Sequence, residues 1–556
     1  MAIIQSLIHS HTKIFWACIK FCADVVILCL PSKKLRRLTE ELARLSQRPS
    51  PTHVEALMKR MNEAKSLAEY ENCTIDLDNL QGHETWKREK ESIEPGYNPN
   101  VIETQVKLLQ KAVIFGDLSS MQYLLRTGLS RDLGGMNMPG LYQHSWFGTK
   151  LLIDGYINTV LETIETFSNI ICRQRACTAD LRSYQRSLED TLIDFGRSAL
   201  TLSGGASLCM KHIGVVKTLW EAALLPRIIS GTSLGSFVAG IVGSTTEEQM
   251  DEVLDRLPFS DLAIFDPPGT GKLGWVIQRV RTLLSSGVFF ETKNLKKVAR
   301  SWLGDITFRE AHNKTGYILN ICISSTDSAE PQLLNFITAP DVYIWSAICA
   351  SCAVPGIFSP VNIYEKDPIT KEEKLWIQNI QKTFVGSTDH DIPMRKLSEM
   401  FNAKLFIISQ VNPYIRAFLE PEEQFRGRQP KTLITPQNYL QATKVFLQRE
   451  IVHRAQQAVK IGFPQKWFWW APIFSQRYTD GINIWPEIKS SEYLHMMMNP
   501  SPEFILDAMI AGERAIWPRM CRIKNCVAIE LSLVQAIDIL KDRVNFGPEA
   551  RAARMV

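Results

Sequence analysis

Apolar and polar positions follow two alternating patterns from about residue 198 to residue 397. The segments 316–323 and 404–409 are nearly continuous apolar runs rich in β-branched residues, which is typical of parallel strands buried on both faces. Segments with helical spacing separate such runs. Strands that alternate with helices predict an α/β fold, a three-layer α/β sandwich in which the turns after the strands meet at the carboxyl edge of one sheet.

Helical periodicity dominates on both sides of this segment. Residues 151–161 repeat apolar positions at every third or fourth residue, and residues 436–461 place basic residues among apolar ones as in an amphipathic helix. These patterns predict a helical region before the α/β domain and a mostly helical extension after it. The predicted parts are an N-terminal apolar segment with a helical arm, the helical region, the α/β domain and the C-terminal extension, at residues 1–67, 68–197, 198–397 and 398–556.

The most apolar stretch of the chain lies near its start. Residues 14–30 are almost all apolar, but Lys20 and Asp24 interrupt them and the basic run 33–37 follows. A spanning helix needs about twenty apolar residues, so an interfacial segment is the more economical interpretation. Lys20 and Asp24 lie one helical turn apart and can pair, so a tilted membrane-spanning helix is a second interpretation. A helix buried in the protein is a third. We expect attachment to the cytosolic face of a lipid surface.

Composition narrows the classes of partner and cofactor. The chain is 45% hydrophobic and 22% charged with a formal net charge of +5, which fits a globular protein and is too small to indicate nucleic-acid binding. Its twelve cysteines show no disulfide-scaffold pattern and fit a reducing compartment. Cys349 and Cys352 have the spacing of a redox or zinc pair, but no second Cys/His pair accompanies them. We therefore expect buried structural thiols rather than a redox or zinc site.

One short stretch carries the strongest candidate chemistry. In residues 227–238 an apolar run meets Gly-Thr-Ser-Leu-Gly and continues with helical spacing, which predicts a strand, a tight turn and a helix. A serine between two glycines in this context is typical of a nucleophile elbow, where Gly231 and Gly235 let strand and helix pack closely while Ser233 projects from the turn. The helix would aim its unpaired N–H groups and positive dipole end at whatever reacts with Ser233.

A second glycine-rich turn precedes the first along the chain. Residues 199–208 form an apolar run that leads into Gly204, Gly205 and Ala206 before another helix. A dinucleotide-binding turn is disfavoured, because the G-x-G-x-x-G spacing and the acidic residue of a second strand are absent from the sequence. Exposed backbone amides in this turn fit an oxyanion hole better.

The run 267–272 is similar to a phosphate-binding loop but lacks its first glycine and its final Ser or Thr.

Further motifs follow in order along the chain. Together with the two glycine turns, the sequence from about residue 66 to residue 540 resembles the patatin-like serine lipases, in particular the fungal and plant branch of patatin-like triacylglycerol lipases. The matching motifs outside the turns are Arg131–Gly135, Gly148–Lys150, Ser351–Gly356, Asp391–Met394, Ser409–Pro413, Asn499–Phe504 and Gly512–Pro518.

This resemblance implies a patatin-like fold, an activity and a location. The implied reaction is acyl transfer from a glycerolipid ester to Ser233 followed by hydrolysis, without a metal or cofactor. The amides of Gly204, Gly205 and Ala206 would bind the oxyanion. The implied location is a membrane or lipid droplet surface, on the cytosolic face of the droplet or of the endoplasmic reticulum.

Basic and aromatic residues at 436–470 suit a headgroup interface, although a core-facing helix with a solvated basic side explains them equally well.

The general base of this family is missing from its expected position. The resembling lipases use a Ser-Asp dyad whose aspartate precedes a glycine and is followed by Asp-x-Pro, whereas this chain has Val385 before Gly386. Either valine replaces the aspartate or one residue has been deleted, and both leave an apolar side chain where a carboxylate is expected. Asp389 and Asp391 are weak substitutes, because they match acidic positions that more often cap the next helix or turn. Ala206 is a milder departure, since the family has a third glycine there.

Two hypotheses follow. The first is a patatin-like serine lipid hydrolase, similar to triacylglycerol lipases, that is impaired because the dyad aspartate is absent at Val385. The second is a catalytically inactive scaffold or regulator at a lipid surface that keeps the patatin fold. Intact Ser233 favours the first hypothesis and Val385 favours the second. Protein partners, acyl-chain preference and oligomeric state are not fixed by the sequence.

Overall fold

The computed structural model describes two compact units, within residues 1–64 and 65–556. In the first unit, helix α1 spans His53–Glu63. The predicted apolar segment at 14–30 lies outside the described residues, and so do the run 267–272 and almost all of the predicted helix at 436–461. The described residues are 53–92, 94–173, 178–260, 262–265, 288–325, 332–353, 357–359, 361–376, 384–385, 393–412, 450, 453–454, 457, 481–489 and 491–546.

The second unit begins with a helical region, as the apolar spacing predicts. Helix boundaries follow local capping chemistry. Asn98 accepts a hydrogen bond from the Asn100 amide and precedes Pro99 at the first position of its helix, which ends at Gly116 in the left-handed conformation. The helices are α2 (Leu67–Gln81), α3 (His83–Arg88), α4 (Pro99–Phe115), α5 (Leu118–Gly128), α6 (Leu151–Arg173) and α7 (Thr178–Phe195), with 3-10 turns at Leu133–Gly135 and Pro139–Tyr142.

A β-sheet follows this region. Among the described residues the strands are β1 (Arg197–Leu202), β2 (Ile228–Thr232), β3 (Ile318–Ser325), β4 (Gln332–Leu334), β5 (Tyr364–Lys366), β6 (Glu373–Leu375), β7 (Phe384–Val385), β8 (Ala403–Ser409) and β9 (Ile482–Ile484). The main sheet has the order β4-β3-β2-β1-β8-β9, and β7 also pairs with β3. Strands β5 and β6 pair with each other.

The main sheet is parallel at its centre. Strands β3, β2, β1, β8 and β9 run parallel, while β4 and β7 are antiparallel to β3. Leu200 of β1 lies between Ile229 of β2 and Ile407 of β8, so the turns after these strands lie at one edge. The two predicted parallel strands are confirmed as β3 and β8. The antiparallel additions make the sheet mixed.

Helices cover both faces of this sheet. On one face, Leu397 and Phe401 join a core cluster with Phe406 of β8. On the other face Gly243 approaches Leu319 of β3, since a Cβ on Gly243 would lie 3.0 Å from Leu319 Cβ. Helix, sheet and helix form three layers, which confirms the predicted α/β fold class. The helices of this part are α8 (Lys211–Glu221), α9 (Leu234–Ser244), α10 (Glu247–Arg256), α11 (Thr292–Leu303), α12 (Phe308–Thr315), α13 (Ile344–Cys352) and α14 (Met394–Phe401), with 3-10 turns at Ala206–Met210 and Leu257–Phe259.

The C-terminal part packs on both the sheet domain and the helical region. It contains α15 (Glu492–His495), α16 (Pro502–Ile516), a 3-10 turn at Trp517–Arg519 and α17 (Met520–Phe546). Helix α16 crosses α8 so closely that a Cβ on Gly512 would lie 2.0 Å from the Lys211 carbonyl oxygen. Helix α17 packs on α6 and α7.

A buried ion pair ties the helical region to the start of the sheet. Arg131 donates from Nη2 to Glu530 of α17 at 2.7 Å, and the other oxygen of Glu530 accepts from the Ser198 amide at 2.9 Å. Of the helices in the described ranges, none combines the length and the hydrophobicity that crossing a membrane requires.

Candidate active site

Ser233 occupies a sharp turn between β2 and α9. Its backbone has φ 52° and ψ −134°, in a region that residues other than glycine rarely adopt. Such a conformation costs roughly 1–3 kcal/mol and persists only where its surroundings hold it. The Ser233 amide donates to Ser351 Oγ at 2.8 Å, and Ser351 Oγ donates to the Cys322 carbonyl at 2.7 Å. The Ser233 carbonyl accepts from the Ser236 amide at 2.9 Å and from its hydroxyl. The strand, turn and helix predicted for this stretch are confirmed.

The two glycines beside Ser233 are required by close approaches of the backbone. A Cβ on Gly231 would lie 2.5 Å from Ser236 Cα, and a Cβ on Gly235 would lie 2.5 Å from the Ser203 carbonyl oxygen. Both distances are shorter than real Cβ contacts. Only glycine therefore lets α9 pack against the ends of β1 and β2 at these two positions.

The second glycine turn lies directly beside Ser233. A Cβ on Gly204 would lie 3.2 Å from Ser233 Cβ and 3.9 Å from Ser233 Oγ. This adjacency follows from the sheet, because β1 and β2 are neighbouring parallel strands in which Leu202 pairs with Gly231. The structure thus brings the two predicted turns together at the carboxyl edge.

Ala206 and Ser207 continue the second turn into a 3-10 helix. Ala206 has φ 50°, a left-handed conformation that costs an alanine about 1–2 kcal/mol and that a glycine would adopt without this strain. Ser207 is held by the C-terminal part of the chain. Its amide donates to the Met496 carbonyl at 3.1 Å, and its hydroxyl donates to the Met498 carbonyl at 2.7 Å. The position of this turn therefore depends on residues almost three hundred positions further along the chain.

His212 lies beneath the second turn and was not singled out by the sequence. Its ring is fully buried, with Nε2 2.9 Å from the Ser203 carbonyl oxygen and Nδ1 2.8 Å from Ser409 Oγ. Burial lowers the pKa of His212 to about 4, so the imidazole is neutral at physiological pH. The one available signal was a histidine directly before the apolar run Ile213–Val216 at the start of a helix, where a buried imidazole needs a hydrogen-bond partner.

A buried ion pair flanks the same turn. Lys211, the first residue of α8, donates from Nζ to the Glu487 carbonyl at 2.8 Å and lies 3.0 Å from a carboxylate oxygen of Glu492. The lysine side chain is completely buried. Removing one member of such a pair leaves an uncompensated buried charge, which typically costs about 3–5 kcal/mol. The segment around Glu492 is thus a structural support of the glycine turn.

The expected dyad position lies near the elbow's support. Val385 is in β7, where its backbone pairs with Ser324 at the end of β3. Strand β7 packs against α13, the helix that carries Ser351. Asp389 and Asp391 lie outside the described residues, so their predicted role as substitutes remains a prediction.

Two cysteines of α13 are inert in this setting. Cys349 and Cys352 are free and buried, as the sequence predicts. Burial raises the pKa of Cys349 to about 12 and also raises the pKa of Cys352. Both thiols are protonated at neutral pH and cannot act as the missing base.

Two family models match the chain. Residues 200–377 match the family described as patatin-like phospholipase, and residues 48–184 match a domain of unknown function, DUF3336. The first match includes both glycine turns and the described supports of Ser233. It ends before Val385.

Similar proteins cover most of the chain. Triacylglycerol lipase ptl3 of Schizosaccharomyces pombe is 32% identical over 86% of this chain and 96% of that protein. Triacylglycerol lipase 4 of Saccharomyces cerevisiae is 34% identical over 88% of this chain, and Triacylglycerol lipase SDP1L of Arabidopsis thaliana is 31% identical over 76%. The chain spans 54% and 52% of the length of these last two proteins. Among solved structures, VipD from Legionella pneumophila matches with a TM-score of 0.28 and 12% identity, over 62% of this chain and 67% of that one.

Proposed function

Because the chain belongs to the patatin-like family that includes these triacylglycerol lipases, we propose that it is a serine hydrolase of carboxylic ester bonds in glycerolipids. One observation carries the proposal: Gly204 lies against Ser233, within a few ångströms of its hydroxyl. An alcohol and a turn of backbone amides at neighbouring strand ends are the two parts that acyl transfer requires.

The proposed reaction has two stages. Ser233 Oγ forms a bond to the ester carbonyl carbon, and the resulting oxyanion is stabilised by the amides of Gly204, Gly205 and Ala206 and by the N-terminus of α9. The ester C–O bond then breaks, and the departing alcohol takes up the proton that the serine lost. Water attacks the acyl-serine in the second stage and releases the fatty acid.

The proton acceptor is the weak part of this site. If Val385 stands at the dyad position, no carboxylate there accepts the Ser233 proton, and loss of a general base usually costs at least about 10³-fold in rate. Oxyanion stabilisation and binding alone retain about 10³–10⁴-fold over water. We therefore propose a slow hydrolase, with Asp389 and Asp391 as the substitute bases to test.

An inactive surface protein is the second candidate function. The valine at 385 favours it, because a scaffold or regulator needs the fold and lipid affinity but no base. Both candidates place the protein at the cytosolic face of a lipid droplet or of the endoplasmic reticulum. The apolar stretch 14–30 and the lipid substrate named for the relatives support this location.

Hydrolysis by matched variants separates the candidates. The purified chain is given emulsified triacylglycerol and phospholipid, and fatty acid release is measured for the wild type, V385D and V385N. We expect slow release by the wild type and at least about tenfold faster release by V385D, since only the aspartate supplies a base. V385N controls for polarity without basicity. No release by any of the three proteins would reject the hydrolase and favour the scaffold.

A further inference from the structure

The peptide bond between Ser203 and Gly204 decides whether an amide faces Ser233. In a planar trans peptide the carbonyl and the N–H point in opposite directions. A peptide beside glycine rotates easily, because glycine tolerates both halves of conformational space. If this peptide were reversed, the Ser203 carbonyl oxygen would face the developing oxyanion and repel it. Something must therefore select one orientation.

His212 provides the donor that makes this selection. Its Nε2 lies 2.9 Å from the Ser203 carbonyl oxygen, which can only accept a hydrogen bond. Nε2 therefore carries the proton, and Nδ1 accepts from the Ser409 hydroxyl at 2.8 Å. Within the described part of the chain, this carbonyl has a second donor in the Cys209 thiol, a weak one, at 3.5 Å.

The imidazole is itself held in place. It is completely buried, and burial keeps it neutral, so its tautomer does not change with pH in the physiological range. Ser409 is fixed in turn, because its carbonyl accepts from the Ser203 amide at 3.1 Å. The Ser203 hydroxyl accepts from the Val411 amide at 2.9 Å. The amide and the hydroxyl of Ser203 are thus bonded to β8 and the residues after it, and the hydroxyl also lies 3.3 Å from the Gly204 carbonyl oxygen. The Ser203 carbonyl, which begins the peptide to Gly204, is the group that His212 contacts.

We propose that His212 is a positioning residue that locks the Ser203–Gly204 peptide with the Gly204 N–H toward Ser233. This inference rests on the proposed function, since it concerns the oxyanion site of that reaction. His212 does not touch the substrate. It acts through the Ser203 carbonyl on the donor of the next residue.

The variants H212Q and H212N distinguish the hydrogen bond to the Ser203 carbonyl from the packing of the side chain. The amide of H212Q can reach the position of Nε2 and donate to the Ser203 carbonyl, whereas the amide of H212N reaches only the position of Nδ1. For a soluble short-chain ester we expect H212N to lower kcat by about 10²-fold, as for loss of one oxyanion donor, with KM within about twofold. H212Q should remain within about tenfold of the wild type. Equal kcat for H212N and the wild type would overturn the proposal.

A crystal structure of the wild type provides the second measurement. In a phosphonate adduct of Ser233 we expect the Gly204 nitrogen about 2.7–3.1 Å from the phosphonyl oxygen, with His212 still bonded to Ser203. An adduct in which the Ser203 carbonyl has turned away from His212 would contradict the inference even if H212N does not fold. If the wild type forms no adduct, the proposed function fails. The peptide orientation in unreacted crystals of the wild type and H212N then decides, and an identical orientation in both rejects the role of His212.

Discussion

At the scale of single residues, the turn at Ser233 depends on one hydrogen bond, which the Ser233 amide donates to the Ser351 hydroxyl. The bond is 2.8 Å long and partly buried. It holds a backbone conformation that the serine would not adopt alone, so a residue 118 positions away contributes to the shape of the nucleophile's turn.

Replacement of Ser351 tests this dependence. S351A leaves the Ser233 amide unpaired, and we expect a loss of about 1–3 kcal/mol in stability together with slower reaction of Ser233 with a fluorophosphonate. Ser346, on the same helix, accepts from the Tyr364 amide at 2.8 Å and is also buried. S346A is the matched control, with a similar loss of melting temperature but unchanged reactivity. Equal reactivity in the two variants would show that Ser351 does not shape the elbow.

The buried histidine gives the protein a specific response to acid. The pKa of His212 is about 4 in the folded state against an ordinary value of 6.5, so below pH 6.5 the unfolded chain binds more protons than the folded one. His212 does not lower the free energy of unfolding above pH 6.5. As the pH falls from 6.5 toward 4, the free energy of unfolding decreases by up to about 1.4 kcal/mol per pH unit. We expect the Tm of the wild type to fall more steeply between pH 7 and pH 5 than that of H212Q. Parallel falls in the two proteins would contradict this origin.

At the scale of elements, the packing of α8 on α16 depends on glycine. A Cβ on Gly512 would lie 2.0 Å from the Lys211 carbonyl oxygen, and a Cβ on Gly214 would lie 1.9 Å from the Met509 carbonyl oxygen. The two helices approach backbone to backbone, and α8 begins immediately after the second glycine turn. Separation of these helices would therefore move the turn.

A pair of alanine variants measures this requirement. G512A forces the helices apart, and we expect a loss of at least about 2 kcal/mol, seen as a lower Tm. Gly155, in the interior of α6, has nothing within 4 Å of an added Cβ, so G155A should be neutral or stabilising by up to about 1 kcal/mol. Similar Tm values for G512A and G155A would show that α16 has room to move without cost.

The elements also show what the sequence predicts well. The parallel strands β3 and β8 and the turn at Ser233 were predictable, because each is encoded by a local pattern of apolar residues and glycines. The antiparallel strands β4 and β7 were not, since they are only three and two residues long. The supports of the site were equally inaccessible. The bonds from Ser207 to Met496 and Met498 join segments whose proximity only the fold establishes.

At the scale of the whole molecule, different parts of the chain support the sheet at the amino ends and at the carboxyl ends of its central strands. Arg131 and Glu530 link the helical region and α17 to Ser198 at the beginning of β1. At the opposite edge, the segment from Glu492 to Asn499 holds the glycine turn and the chain after α10, where the Phe265 amide donates to Asn499 at 2.8 Å. The C-terminal part therefore contacts the sheet domain at both ends of its central strands. The predicted division of the sequence into successive domains does not predict these contacts.

The most direct test of the proposed acyl-transfer site is the intact mass of the protein after incubation with a fluorophosphonate. In this reaction the Ser233 oxygen bonds to phosphorus and fluoride departs. We expect one phosphonyl group on the wild type and on S244A, whose hydroxyl lies at the far end of α9, and none on S233A. An unmodified wild type, or equal modification of S233A, would contradict the assignment of Ser233 and the adjoining glycine turn as the reactive centre.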